Sequence, residues 1–145
     1  MAGENAAVAA QVHYGDVAGA VAWLCRVFGF TERWRLEPEG TLLMATLATP
    51  GGGSVMVSGL EQDSSVIAPR PNPYYSLTVM VPDVDAHAAR ARAEGADLTT
   101  EPADQPWGYR DYEVLDLDGR QWNFSQHLHD ATPEDWGATG ASTAK

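Results

Sequence analysis

Few side chains in the sequence are able to bind a metal, move a proton or attack a carbonyl. His13 lies in the alternating stretch 7–14 (AVAAQVHY). An imidazole there suits a metal ligand, a general base, a polar contact to a ligand, or an ordinary exposed histidine. No second His or carboxylate is suitably spaced to share a metal with it. His127 and His129 form an H-x-H pair that fits a metal, or equally a solvated strand edge. His87 falls within a helical stretch and is expected on its surface. Cys25 is also helical, and nothing evident lowers its pKa, so packing outweighs nucleophilic use. Asp116 and Asp118 resemble the start of a calcium loop without its remaining acidic ligands, which favours a hairpin turn. Gly51, Gly52 and Gly53 precede no helix, so they do not read as a phosphate loop. Trp34 and Trp107 offer flat indole faces to planar or cationic ligands, or to packing against loops or a partner chain.

The elements that must carry these residues read as one pattern written twice. Residues 7–14 form a strand, and Asp16 caps a helix whose apolar stripe is Val17, Ala20, Val21, Leu24 and Phe28. Gly29 ends it. Strands follow at 30–37, 41–49 and 54–58, separated by the turn residues Pro38-Glu39-Gly40 and Pro50-Gly51-Gly52-Gly53. A second strand–helix unit begins at Tyr74, with Asp83 as cap and Gly95 as stop, and strands are expected at 96–101, 107–116 and 120–127. Asp16 and Asp83 lie 67 residues apart, and Gly29 and Gly95 lie 66 apart, which marks an internal repeat. The organisation read from this is an extension (1–6), a first βαβββ module (7–58), a linker with Pro69, Pro71 and Pro73 (59–73), a second module (74–129) and a mobile tail (130–145). Trp136 in that tail docks on the body or on a partner subunit.

The chain has 145 residues, 44% of them hydrophobic and 20% charged, which suits an α+β domain with a full core. Nine Lys and Arg against 20 Asp and Glu leave a net charge of −11. That charge argues against nucleic acid and membrane surfaces and favours a cationic or neutral small molecule. A single cysteine excludes an intrachain disulfide. No apolar run or secretory signal is evident, so a cytoplasmic protein is expected.

The motif Y-x-D-x-x-x-A-x-x-W-L-x-x-x-F-G-F at 14–30, followed by V-P-D-V-D-A at 81–86, P-W-G-Y-R-D-Y at 106–112 and D-L-D-G-R-Q-W-N-F at 116–124, resembles the vicinal oxygen chelate superfamily. That group holds glyoxalases, extradiol dioxygenases and bleomycin-resistance proteins. The resemblance implies two βαβββ modules whose mixed sheets curve around a groove, often completed by a homodimer partner. It also implies four metal ligands in the enzymes, mostly His and Glu. Carried over residue by residue, those positions fall on Ala9, Ser76, Asn123 and Val57, the last with a one-residue uncertainty that includes Ser58. Ala and Val offer no donor, and neutral Ser and Asn are poor ligands for Zn²⁺, Fe²⁺ or Ni²⁺. No metal and no other cofactor is therefore expected.

Strand alternation then places Gln11, His13, Ser76, Thr78, Met80, Gln121, Asn123 and Ser125 on the groove side. Val8, Val12, Tyr14, Leu77, Val79, Trp122 and Phe124 fall on the helix side. The expected ligand-binding set is His13, Trp34, Ser76, Thr78, Trp107, Arg110, Glu113 and Asn123, with a strand-surface ion pair as the other reading of Arg110 and Glu113. The leading function is metal-free sequestration of a cationic or polyaromatic drug or natural product in a dimer groove. The alternatives are a glyoxalase/dioxygenase-like lyase, isomerase or natural-product tailoring enzyme of the same superfamily, either with an unusual metal-ligand set that includes His13 and Glu113 or metal-free with His13 as general base, and a non-catalytic interaction subunit.

Overall fold

The structure is a computed structural model that describes residues 8–59 and 76–140. The first module contains β1 (Ala10–Tyr14), α1 (Val17–Phe28), β2 (Thr31–Leu36), β3 (Met44–Ala48) and β4 (Ser54–Gly59). Its sheet runs β1-β4-β3-β2, parallel only between β1 and β4. The second contains β5 (Leu77–Met80), α2 (Val84–Ala93), β6 (Asp97–Leu98), β7 (Ala103–Asp104), β8 (Tyr109–Leu115) and β9 (Gln121–His127). Its sheet runs β5-β9-β8-β6, with β7 also paired to β8. This is the α+β duplication read from the sequence. Both sheets are open and uncurled, since β1 and β2 end one and β5 and β6 end the other.

Local chemistry sets the helix ends. The Asp16 carboxylate accepts from the Gly19 N–H at 2.9 Å, and Asp83 accepts from Ala86 at 3.0 Å. Gly29, at φ 71°, turns the chain out of α1. The strand expected at 96–101 shortens to two residues, because Thr99 and Thr100 both donate to the Glu113 carbonyl instead of continuing the ladder. Val8, expected in the core, precedes β1 and is 87% exposed. Ser125, expected on the groove side, is buried. The extension 1–6, the expected strand start at residue 7, the linker apart from Gly59, the expected start of the second unit at Tyr74 and Tyr75, and the end of the tail (141–145) lie outside the described residues. Within the tail, Pro133–Trp136 form a 3-10 turn and Trp136 meets Trp107 edge-on at 6.0 Å.

The core is continuous across the modules. The Phe28 ring, at the end of α1, meets Phe124 at 4.7 Å and Trp122 at 5.6 Å, both on β9. Each such edge contact adds about 1 kcal/mol to simple burial. His87, expected on the surface of α2, is buried between the modules. Its Nε2–H donates to the Phe28 carbonyl at 2.8 Å, so Nδ1 accepts from the Tyr112 hydroxyl at 2.6 Å. Burial holds the His87 pKa below its ordinary value. Arg90 also crosses, donating to the carbonyls of Arg26 and Cys25 in the last turn of α1.

Asp116, in the β8–β9 turn, is the second crossing point. Its buried carboxylate accepts from the Tyr14 hydroxyl at 2.7 Å, the Trp122 indole N–H at 3.0 Å, and the backbone N–H groups of Asp118 and Arg120. The turn is therefore a hairpin turn whose side chain reaches into the other module. Burial, then the neighbouring Asp116 charge, pushes the Tyr14 phenol well above its ordinary pKa.

Two outcomes follow for stability. Tyr14→Phe should lower unfolding free energy by about 1.5–3 kcal/mol, the range for a hydrogen bond to a charged group. Asp116→Ala, which strands several buried donors, should cost more, about 3–5 kcal/mol; urea denaturation measures both. His87 stays neutral when folded, whereas the unfolded chain takes up its proton below about pH 6.5. Stability is therefore lost as pH falls through that point, and His87→Gln should flatten that slope in melting curves.

Candidate functional site

The sheet register decides which side chains meet. Across the first sheet, Gln11, Met56, Thr46 and Trp34 stand directly opposite one another on β1, β4, β3 and β2. The next row is His13, Ser58, Met44 and Leu36. The intervening residues Val12, Val57 and Ala45 are buried on the side of α1. Both rows therefore lie on the open face. A β-bulge between Glu32 and Trp34 fixes the tryptophan on that face. Simple alternation along β2 could not have assigned it.

His13 Nδ1 lies 2.9 Å from Ser58 Oγ and 3.3 Å from the Gly59 carbonyl oxygen. With a proton on Nδ1 the ring donates to the Gly59 carbonyl and leaves Nε2 as a lone-pair acceptor; with Nδ1 bare it accepts from the Ser58 hydroxyl and Nε2–H is a donor. Thr46 is only 5% exposed, and its hydroxyl has no hydrogen-bond partner among the described residues. It sits between Met56 and Trp34, and the Trp34 indole is 42% exposed. Sequence reasoning missed Thr46 and Met56 here, because the face of a strand shows only once its register is known.

On the second sheet the open face carries Thr78, Asn123 and Glu113 in one row. Asn123 Nδ2 donates to Thr78 Oγ1 at 3.3 Å, and exposed Ser76 precedes β5. The structure thus brings Thr78, Asn123 and Glu113 together, and separately His13 and Trp34. Arg110 does not join either set. It pairs with Gln126, one residue out of phase with Glu113, and its guanidinium binds Asp85 at 3.1 Å and Asp104 at 2.8 Å. Arg110 is thus held by ion pairs, with Asp85 and Asp104 as partners in place of Glu113. Trp107 stands in the turn before β8 and spends one edge on Trp136, away from the Thr78–Asn123–Glu113 row.

Register also corrects one of the four positions at which the superfamily's enzymes hold a metal. Asn123 pairs with Thr78, and the counterpart of that pair in the first module is Met56 with Gln11. Val57 instead pairs with Val12 inside the core. The position is Met56, a soft thioether. Together Ala9, Met56, Ser76 and Asn123 offer no imidazole and no carboxylate, so they do not fit Zn²⁺, Fe²⁺ or Ni²⁺. Among the described residues, no group of three His, Cys, Asp or Glu is placed to hold a metal ion.

Two strand–helix–strand units, the first with three strands after its helix and the second with four, two of them only two residues long, form paired mixed sheets and define the fold class. A match of residues 8–124 to the family profile gives it a name: the chain belongs to the Glyoxalase/Bleomycin resistance protein/Dioxygenase superfamily. Among solved structures it is similar to TioX from Micromonospora sp. ML1, with 39% identity over 86% of this chain and 100% of that one, and a TM-score of 0.70. A superfamily member from Sphaerobacter thermophilus shares the fold at 18% identity, covering 84% of this chain and 98% of that one with a TM-score of 0.65. The uncharacterized protein Rv0887c of Mycobacterium tuberculosis is 27% identical over 125 residues, which are 83% of this chain and 74% of that protein. No helix among the described residues is long and apolar enough to cross a membrane.

The donor set makes a direct forecast. After chelation, adding Zn²⁺, Ni²⁺, Fe²⁺ or Mn²⁺ should leave the melting temperature unchanged, and elemental analysis of the purified protein should find no stoichiometric metal. A tightly held metal would stabilise the folded state and raise that temperature.

Proposed function

We propose that this protein binds a small molecule without a metal and sequesters it, as a cytoplasmic homodimer whose partner closes a groove over the open sheet faces. The ligand is a planar or polyaromatic drug or natural product, cationic where it carries charge. The observation that carries this reading is the open face of the first sheet. It carries an exposed indole diagonal to Met44 and across Thr46 from Met56, and ends at β1 in Gln11 and in His13, which pairs with Ser58 of β4. An indole face and thioethers suit an aromatic ring, and the imidazole suits its polar substituent. The net charge of −11 favours cations over anions at a distance. Ser76, Thr78, Asn123 and Glu113 supply the polar side of the groove from the second sheet.

A second reading has a specific observation behind it. In the tautomer whose Nδ1–H donates to the Gly59 carbonyl, His13 Nε2 is set to accept a proton, as a metal-free isomerase, lyase or tailoring enzyme would require. The two readings separate on one variant. His13→Ala weakens binding several-fold in the first and abolishes turnover in the second.

Thermal-shift and tryptophan-quenching screens with cationic and polyaromatic antibiotics should find ligands that stabilise the protein. Trp34→Ala should then weaken the best of them about tenfold, the size of one stacking or cation–π contact. A panel without any stabilising compound, or a Trp34→Ala variant that binds unchanged, counts against the reading.

A further inference from the structure

Where the two sheets meet, the structure contains two hollows that are copies of one another. The cap aspartates set the repeat offset at 67 residues. The smaller hollow, of 70 Å³, lies between residues 10–12 of β1 and 120–122 at the start of β9, with Leu77 closing it. Shifted by 67, these become residues 77–79, 53–55 and Ala10. All of them line the second hollow, which measures 410 Å³.

The side chains account for the difference in size. Arg120, Gln121 and Trp122 in the second module correspond to Gly53, Ser54 and Val55 in the first. Arg120 occupies its own side by packing 4.6 Å over the Tyr14 ring. Gly53 leaves the matching space empty of side chain. The turn also comes close to β5, since a Cβ on Gly51 would lie 2.4 Å from the Met80 carbonyl oxygen. The larger cleft is walled by Val55, Val79 and the Trp122 ring, whose N–H is already committed to Asp116. Thr49, Ser54 and Thr78 bring hydroxyls, and among the described residues no charged side chain lines it. Its volume falls in the range of small-molecule pockets.

We infer that this enlarged cleft is a second binding site, for a neutral, largely apolar molecule of one or two fused rings bearing a single hydrogen-bonding group. Loss of the repeat's bulky residues on one side created it. It shares only Thr78 with the open-face site and does not rest on that reading.

Indole is the probe, and amide NMR is the readout. In the full-length protein, indole should shift the Gly51, Gly52 and Gly53 amides and those of residues 77–79 saturably. Ser54→Gln, which restores the second module's residue, should weaken binding about tenfold by filling the cleft, with the rest of the spectrum unchanged. Gly53→Arg, whose Cβ would push aside the Thr49 hydroxyl that now accepts from the Gly53 N–H, is the second filling variant and should also weaken binding. Unsaturable shifts, unchanged affinity in both variants, or Overhauser contacts that place the chain's own N-terminal residues in the cleft would overturn the inference. Shifts centred on Trp34 and Thr46 would also overturn it, while supporting the open-face site.

Discussion

Asp116 accepts hydrogen bonds from both halves of the chain, and the placement of the two sheets depends on that carboxylate. Buried among aromatic rings, it needs several donors to offset its lost hydration. Two come from its own turn and one from Trp122, but the shortest comes from Tyr14, 102 residues earlier on β1. Satisfying one buried charge therefore fixes β1 of the first module against the β8–β9 hairpin of the second. At the helix ends, His87 and Arg90 do the same work on the carbonyls that α1 leaves unpaired.

With the helix side so pinned, the opposite faces of both sheets are left open. Their residue types then decide the chemistry. A fold whose enzymes place a metal at four converging positions here places alanine, methionine, serine and asparagine. What remains is a surface of indole, thioether, imidazole, hydroxyl and amide, with the carboxylate of Glu113 in the Thr78–Asn123 row. Among the side chains named on these faces, His13 and Glu113 are the two that can carry a proton.

Much of the fold was legible in the sequence because its signals are local. The Asp caps, the glycine stops and the apolar stripe each act within a turn of helix, and their repetition revealed the duplication. The site was less legible because its faces depend on pairing between strands. The bulge at β2 hid the face of Trp34. The register between β1 and β4 moved one metal position from Val57 to Met56. Arg110, one residue out of phase with Glu113, went to the helix side, where Asp85 and Asp104 supplied partners. His87 looked exposed because the polar partners that bury it come from Phe28 and Tyr112, distant in the sequence.

Native mass spectrometry of the full-length protein, with the cationic and polyaromatic antibiotics present, tests the central claim most directly. One spectrum reads the subunit number, any metal and the mass of the bound compound. The account predicts a dimer that carries intact compound and no metal. A metal adduct in stoichiometric amount, or a bound compound whose mass has changed, would contradict it.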